Sequence, residues 1–162
     1  MRLSNRSLVL SVACLGLSSL LVGAAFAQSD PQVGAWRLNV AKSKYSPGPA
    51  PKSATTRIEA AGVGTKVIVD QALADGTMRH YEFTSNYDGK DSPVTGNNPD
   101  ADMIARTRTN ATTVQTIAKK GGKVTTTQTS VVSSDGKTRT VTTKGVNASG
   151  QQVNNVAVYE KQ

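Results

Sequence analysis

The sequence predicts an all-β domain, an antiparallel up-and-down meander of about 8–10 strands that closes into a barrel. Three observations carry this prediction. Short glycine-containing turn signals recur at a nearly regular interval: Gly62-Val63-Gly64, Asp75-Gly76, Asp88-Gly89, Gly121-Gly122, Asp135-Gly136 and Ser149-Gly150. Asp-Gly and Gly-Gly pairs accept the positive φ angles that tight hairpins demand. The segments between them run to about 7–11 residues and are rich in Val, Thr, Ile and Tyr, which suit a pleated surface. Nothing between Gln28 and Gln162 sustains a helical period.

The first element is not part of that domain. Arg2 and Arg6 precede an apolar run from Leu8 to Val22, and Ala25-Phe26-Ala27 follows it. Positive, apolar and small-x-small is the order a signal peptidase reads, so residues 1–27 are expected to be a cleavable signal peptide and 28–162 a single β-barrel domain. Ser11, Gly16, Ser18, Ser19 and Gly23 dilute the run, whereas a membrane span needs about 20 predominantly apolar residues. Cys14 could carry a lipid, but Ser11 stands where such signals usually have Leu and the apolar run continues past the cysteine. Cys14 is also the chain's single cysteine, so a mature domain has no internal disulfide and must rely on packing and its hydrogen-bond ladder. Of 19 Lys plus Arg, Arg2 and Arg6 leave with the signal, and 11 Asp plus Glu oppose the remainder, a balance of +6. The lysines are spread along the chain rather than gathered in one stripe, so nucleic acid is not an expected partner.

Strands are expected at 33–41, 53–60, 65–73, 77–87, 102–109, 112–119, 123–133, 137–145 and 151–160. Short turns between them make neighbours antiparallel, and closing a long meander into a barrel removes its exposed edges. Ser46 to Pro51, with Pro47, Pro49 and Pro51, is expected to be a linker, and Ser92 to Asp100 a polar loop. Alternation places Trp36, Leu38 and Val40 on one face, then Thr56, Ile58 and Ala60, then Val67, Val69 and Gln71. In the fourth strand Arg79, Tyr81, Phe83 and Tyr87 fall together. The last strand is ambiguous, and from Thr107 to Thr143 the strands are so rich in Thr that neither face is plainly apolar. Beyond residue 27 the leucines are Leu38 and Leu73 and the phenylalanine is Phe83, too few bulky side chains to fill a barrel whose interior is wide enough for one small ligand. A Thr-lined, partly hydrated cavity and a small barrel whose walls touch through Val and Thr both fit this composition.

Gly34-Ala35-Trp36-Arg37-Leu38 resembles the G-x-W opening strand of the lipocalin and fatty-acid-binding-protein (calycin) superfamily. Val158-Tyr159-Glu160-Lys161 is similar to the closing strand of intracellular fatty-acid-binding proteins, and Asp135-Gly136-Lys137 before a Thr-rich strand has the same look. The block from Trp36 to Gly48 resembles the opening of a group of small secreted bacterial proteins of unknown function. The resemblance implies a lipocalin-like β-barrel with Trp36 at one end. Two departures matter. Only Ser46 to Lys52 separates the first two strands, where fatty-acid-binding proteins carry a two-helix lid, and Ala157 stands where they hold a carboxylate with Arg.

Arg79, Tyr81, Phe83 and Tyr87 form the candidate ligand wall, because they join the longest aromatic face to a cation suited to a carboxylate or phosphate. A plain core strand with Arg79 at its rim is the competing reading. Arg106, which shares a face with Ile104 and Arg108, is a further candidate, and the same pattern suits arginines that face solvent. Trp36 is expected to be structural, with Arg139 or Lys161 over its ring, and Arg139 and Tyr159 are counted as structural with it. His80 and Glu82 share a face, but one His without cysteine makes a zinc site unexpected. Asp88, Asp91, Asp100 and Asp102 lack the spacing of a calcium loop. No nucleophile elbow appears and His80 has no identifiable partner, so no catalytic residue and no cofactor are expected.

The expected function is therefore that of a periplasmic or secreted protein, without a membrane span in its mature form, that binds a small amphiphilic or anionic molecule without transforming it. The alternative is an envelope protein-protein interaction or inhibitor module that uses the loops 46–51 and 92–100.

Overall fold

The structure, a computed structural model, describes residues 30–162. The expected signal peptide and Cys14 lie outside the described residues. Eleven antiparallel strands form one sheet: β1 (Gly34–Lys44), β2 (Ser53–Ala61), β3 (Gly64–Ala72), β4 (Met78–Ser85), β5 (Asp88–Pro93), β6 (Thr95–Gly96), β7 (Met103–Arg108), β8 (Thr113–Lys120), β9 (Lys123–Val132), β10 (Thr138–Val146) and β11 (Gln152–Lys161). No helix occurs among the described residues. The strand order β5-β7-β8-β9-β10-β11-β1-β2-β3-β4-β6 is that of a meander whose first and last strands pair. The result is a nearly closed barrel, and the all-β meander expected from the turn spacing is observed.

The turns form where the sequence marks them. Gly62, Gly76, Gly136 and Gly150 all take positive φ, which a residue with a Cβ adopts only with strain. Inward residues come from alternation: Trp36, Leu38, Ile58, Val67, Val69 and Phe83 join one buried cluster. In β11 the inward row is Val153, Ala157 and Tyr159, all buried, which resolves the facing that alternation left open.

Four expectations need correction. The segment 92–100 is not wholly a loop, since β5 and β6 occupy part of it. Residues 88–96 act as a strap: Asp91, Ser92 and Pro93 pair with Ala105, Ile104 and Met103 of β7, and Thr95 and Gly96 pair with Glu82 and Tyr81 of β4. Pairing rather than burial holds the strap, so it carries no apolar alternation to announce it. Gly89, expected in a turn, lies inside β5 where the register shifts between Asp88 and Asp91. Val40 does not continue the inward row of Trp36 and Leu38, because the register with β11 slips after Asn39. In that bulge the Ser43 hydroxyl donates to the Asn39 carbonyl (2.7 Å) and accepts from the Val158 N–H (2.9 Å). Finally, β4 ends at Ser85, and Tyr87 lies beyond it with φ 58°.

One barrel end is sealed by the segment that enters β1. Trp36 is fully buried and its indole N–H donates to the Gln32 carbonyl at 2.8 Å. Lys161 Nζ lies 5.2 Å from the Trp36 ring centroid, so it is Lys161, and not Arg139, that covers the indole. The other end carries the β3–β4, β8–β9 and β10–β11 turns and the segments 46–51 and 97–102, and it is open.

Candidate functional site: a cationic cavity inside the barrel

The interior is not filled. A cavity of about 720 Å³ runs from the open end into the barrel, within the usual size range of small-molecule sites. Its wall is mixed: Val67, Val69, Ile104 and Val141 supply apolar surface, while Thr56, Thr116, Thr126 and Gln128 supply polar surface. Inward Thr in place of Leu or Phe is what leaves the space open, since each substitutes a smaller side chain that also carries a hydroxyl.

Of the residues chosen from sequence, Arg79, Tyr81, Phe83 and Arg106 all line this cavity. Tyr87 does not. Its backbone turns away after Ser85, and its ring is sandwiched under the sealed end between Arg106 (4.7 Å) and Arg108 (4.3 Å). Arg139 and Tyr159, chosen as structural, both stand on the cavity wall. Arg139 lies over the Tyr159 ring at 5.6 Å from its centroid. Its Nε donates to Ser130 Oγ (2.8 Å) and Gln32 Oε1 (3.1 Å).

Arg106 and Arg139 are only 3% and 8% exposed. Neither forms a salt bridge with a carboxylate among the described residues, in contrast to Arg108, which pairs with Asp30. Arg106 donates through Nη1 to Thr65 Oγ1 at 2.8 Å, and its guanidinium faces the Phe83 ring at 5.8 Å. Burial lowers the Arg106 pKa, against a rise from Tyr87. Burial likewise pulls Arg139 down to about 10, and repulsion from Arg106 acts in the same direction. Both stay protonated at neutral pH. Two cations thus share one low-dielectric interior, where an isolated charge is costly unless an anion or hydrogen-bond acceptors compensate it.

Neutral donors surround them. Burial raises the pKa of Tyr45, Tyr81 and Tyr159 above the ordinary phenol value, so each keeps its proton and can donate to an acceptor in the cavity. Arg79 stands nearer the open end, on the same inward row as Tyr81 and Phe83.

The base of the site rests on a hydrogen-bond network. Fully buried Gln32 donates from Nε2 to the Thr112 carbonyl (2.9 Å), and its Oε1 accepts from Ser130 Oγ (3.0 Å) as well as from Arg139. Thr65 Oγ1 donates to the Tyr87 hydroxyl (3.1 Å), which in turn donates to Asp30 Oδ2 (2.9 Å). Asp30, Gln32 and Thr65 were not found from the sequence. Apart from the local bonds of Gln32 to Asp30 and Trp36, their partners lie between 22 and 107 positions away along the chain, and no local pattern signals such contacts.

The remaining singled-out residues have ordinary partners. His80 Nδ1 meets Asp70 at 2.7 Å on the outer face, and Glu82 pairs with Lys66 at 3.0 Å. Asp91 pairs with Lys119, Asp100 accepts from the Ala148 N–H, and Asp102 accepts from the Gly121 N–H. No family model matches the chain, and no curated protein is found to match it.

Proposed function

We propose that the chain is an exported, lipocalin-like binding protein that holds a small amphiphilic molecule with an anionic group inside its barrel and does not transform it. The observation that carries this reading is the pair of buried guanidiniums, Arg106 and Arg139, on the wall of a cavity of about 720 Å³. An anionic group seated between them would offset the cost of burying two like charges, and charge-assisted hydrogen bonds from guanidinium are among the stronger protein contacts. The tyrosine hydroxyls would donate to the same group. Val67, Val69, Phe83 and Ile104 would hold the apolar part. The segments 46–51 and 92–100, which a protein-binding reading would use, line the mouth through Pro47, Pro49, Asn98 and Pro99; they serve this reading as the entrance.

The experiment is fluorescence titration with an anionic naphthalene-sulfonate fluorophore and with a neutral naphthalene of similar size. Removing a charge-assisted hydrogen bond costs about 1.5–3 kcal/mol. Arg106→Met or Arg139→Met should therefore weaken the anionic probe roughly 10- to 100-fold and leave the neutral one nearly unchanged. Equal loss of both probes, or no loss of either, would reject the reading.

A further inference from the structure

The two guanidiniums of the cavity are anchored to one floor. Arg139 Nε donates to Gln32 Oε1, the Gln32 N–H donates to Asp30 Oδ1 (2.9 Å), and Asp30 Oδ2 accepts from the Tyr87 hydroxyl. Tyr87 accepts in turn from Thr65 Oγ1, which receives Arg106 Nη1. One unbroken hydrogen-bond path, running through the segment that enters β1, thus fixes both cations at the sealed end of the interior. They stand close enough for Arg106 to repel Arg139.

The charge at this floor does not cancel. Asp30, the carboxylate that the path contains, is taken by Arg108 in a salt bridge, which leaves Arg106 and Arg139 as two positive charges without a carboxylate partner among the described residues. Arg139 donates only through Nε, so both of its Nη nitrogens lack an acceptor among the described residues. Ser85 Oγ and Asp102 Oδ1 are the buried side-chain polar atoms without a partner there; the Arg139 Nη nitrogens are not among them, and open on the cavity that Arg139 lines. At the mouth, by contrast, Arg79 is outnumbered by Asp75 and Asp100. The positive excess therefore sits at the floor, and an anionic head belongs there rather than at the entrance.

A head with one negative charge leaves one of the two buried cations unmatched, and an unmatched buried charge is costly. A carboxylate also offers only two oxygens. A phosphate monoester carries close to two charges at neutral pH and presents three acceptor oxygens, and guanidinium meets phosphate with paired N–H donors. We infer that the floor of the cavity holds a phosphate dianion, carried by the amphiphile as a monoester with its apolar part toward the mouth. This rests on the proposed binding function and narrows its anionic group to one chemical class.

The test is competition against the naphthalene-sulfonate fluorophore by hexyl phosphate, hexyl sulfate and heptanoate, which share an apolar part and differ in the head. The second phosphate pKa is about 6, so hexyl phosphate is mostly a dianion at about pH 8 and mostly a monoanion at about pH 5, whereas hexyl sulfate is a monoanion at both. Asp30, Arg108 and Tyr87 at the floor and Arg79, Asp75 and Asp100 at the mouth act on both competitors, so the phosphate-to-sulfate ratio reports the second charge of the ligand. Hexyl phosphate should displace the fluorophore at about 10- to 100-fold lower concentration than either monoanion at the higher pH, and the gap should shrink several-fold at the lower. In Arg106→Met, which keeps one cation, the preference should vanish while the fluorophore still binds. Equal displacement by the three heads at the higher pH, a preference that pH does not change, or one that survives in Arg106→Met would overturn the inference. Inorganic phosphate should displace far more weakly than hexyl phosphate; if it matched, the occupant would be free phosphate, and the ester would be overturned. Fluorophore binding that ignores both arginines defeats the cavity reading and this inference with it, whereas arginine-dependent binding without a phosphate preference defeats this inference alone.

Discussion

Arg106 sits where a purely structural residue would be a poor choice. Among the described residues it donates to Thr65 Oγ1 beside the Tyr87 hydroxyl, and Thr65 keeps its bond to Tyr87 if Arg106 is lost. Replacing it with Met would remove a desolvated cation, fill similar volume and orphan no buried acceptor, a change that is often neutral or stabilising. The expected outcome of Arg106→Met is a melting temperature equal to or above that of the parent, alongside the weaker anionic-probe binding described above. Calorimetry of the unliganded protein checks it, and a large drop in melting temperature would show that Arg106 is there for the fold. Asp30 behaves in the opposite way. Burial alone would raise its pKa, but the Gln32 N–H, Arg108 and the Tyr87 hydroxyl all stabilise the carboxylate, and the net shift is downward from 3.8. A carboxylate with a depressed folded-state pKa contributes stability above its unfolded pKa and loses it as pH falls through the folded value. Asp30→Asn should therefore destabilise the protein at neutral pH by about 1.5–3 kcal/mol, and the gap between variant and parent should narrow below about pH 4. Denaturant titrations at neutral and acid pH measure both. The inward position of Arg79, Tyr81 and Phe83 was legible from alternation. Arg106 was legible only as a candidate, because an arginine on an inward row looks the same in sequence whether it snorkels out or stays. Gln32 was not legible at all, since its role depends on Thr112, Ser130 and Arg139.

Strands were easier to read than the strap that joins the two edges of the meander. Nine expected segments became strands within a few residues of expectation, because each has one face against the interior and one outside. The strap has no buried face of that kind and is held to β4 by backbone contacts centred on Gly96 and Asn97. The Asn97 N–H donates to the His80 carbonyl at 2.8 Å and its side-chain Nδ2 to the Met78 carbonyl at 3.0 Å. Gly96 has φ 98°, and a Cβ there would collide with the His80 carbonyl and the Tyr81 Cα. Backbone atoms cannot yield as the end of a flexible side chain can. Gly96→Ala should therefore open the β4–β6 seam: amide exchange at Asn97 should rise markedly while that of the distant β1–β11 ladder stays protected. The global cost should be about 1–3 kcal/mol. Unchanged exchange at Asn97 would mean that the strap can shift without losing its pairing.

At the scale of the whole molecule, the barrel gives up core volume for a charged interior, and its stability should show this. Few large side chains cross the centre, two guanidiniums are buried without a salt bridge among the described residues, and the sealed end depends on Trp36 and the entering segment. Trp36→Ala removes a fully buried indole that is anchored at 2.8 Å to the Gln32 carbonyl, and should cost about 3–5 kcal/mol. Anion binding acts in the other direction. A ligand that binds only the folded state adds RT ln(1 + [L]/Kd), about 2.7 kcal/mol at a hundredfold excess over Kd. For a domain of this size each kcal/mol moves the melting temperature by roughly 2–4 °C. The anionic fluorophore at that excess should therefore raise the melting temperature by about 5–11 °C. The same excess, taken relative to the new Kd, should restore the rise in Arg139→Met, whereas the parent's ligand concentration should not. A melting temperature that rises equally in parent and variant at one fixed concentration would place the anion elsewhere than beside Arg139.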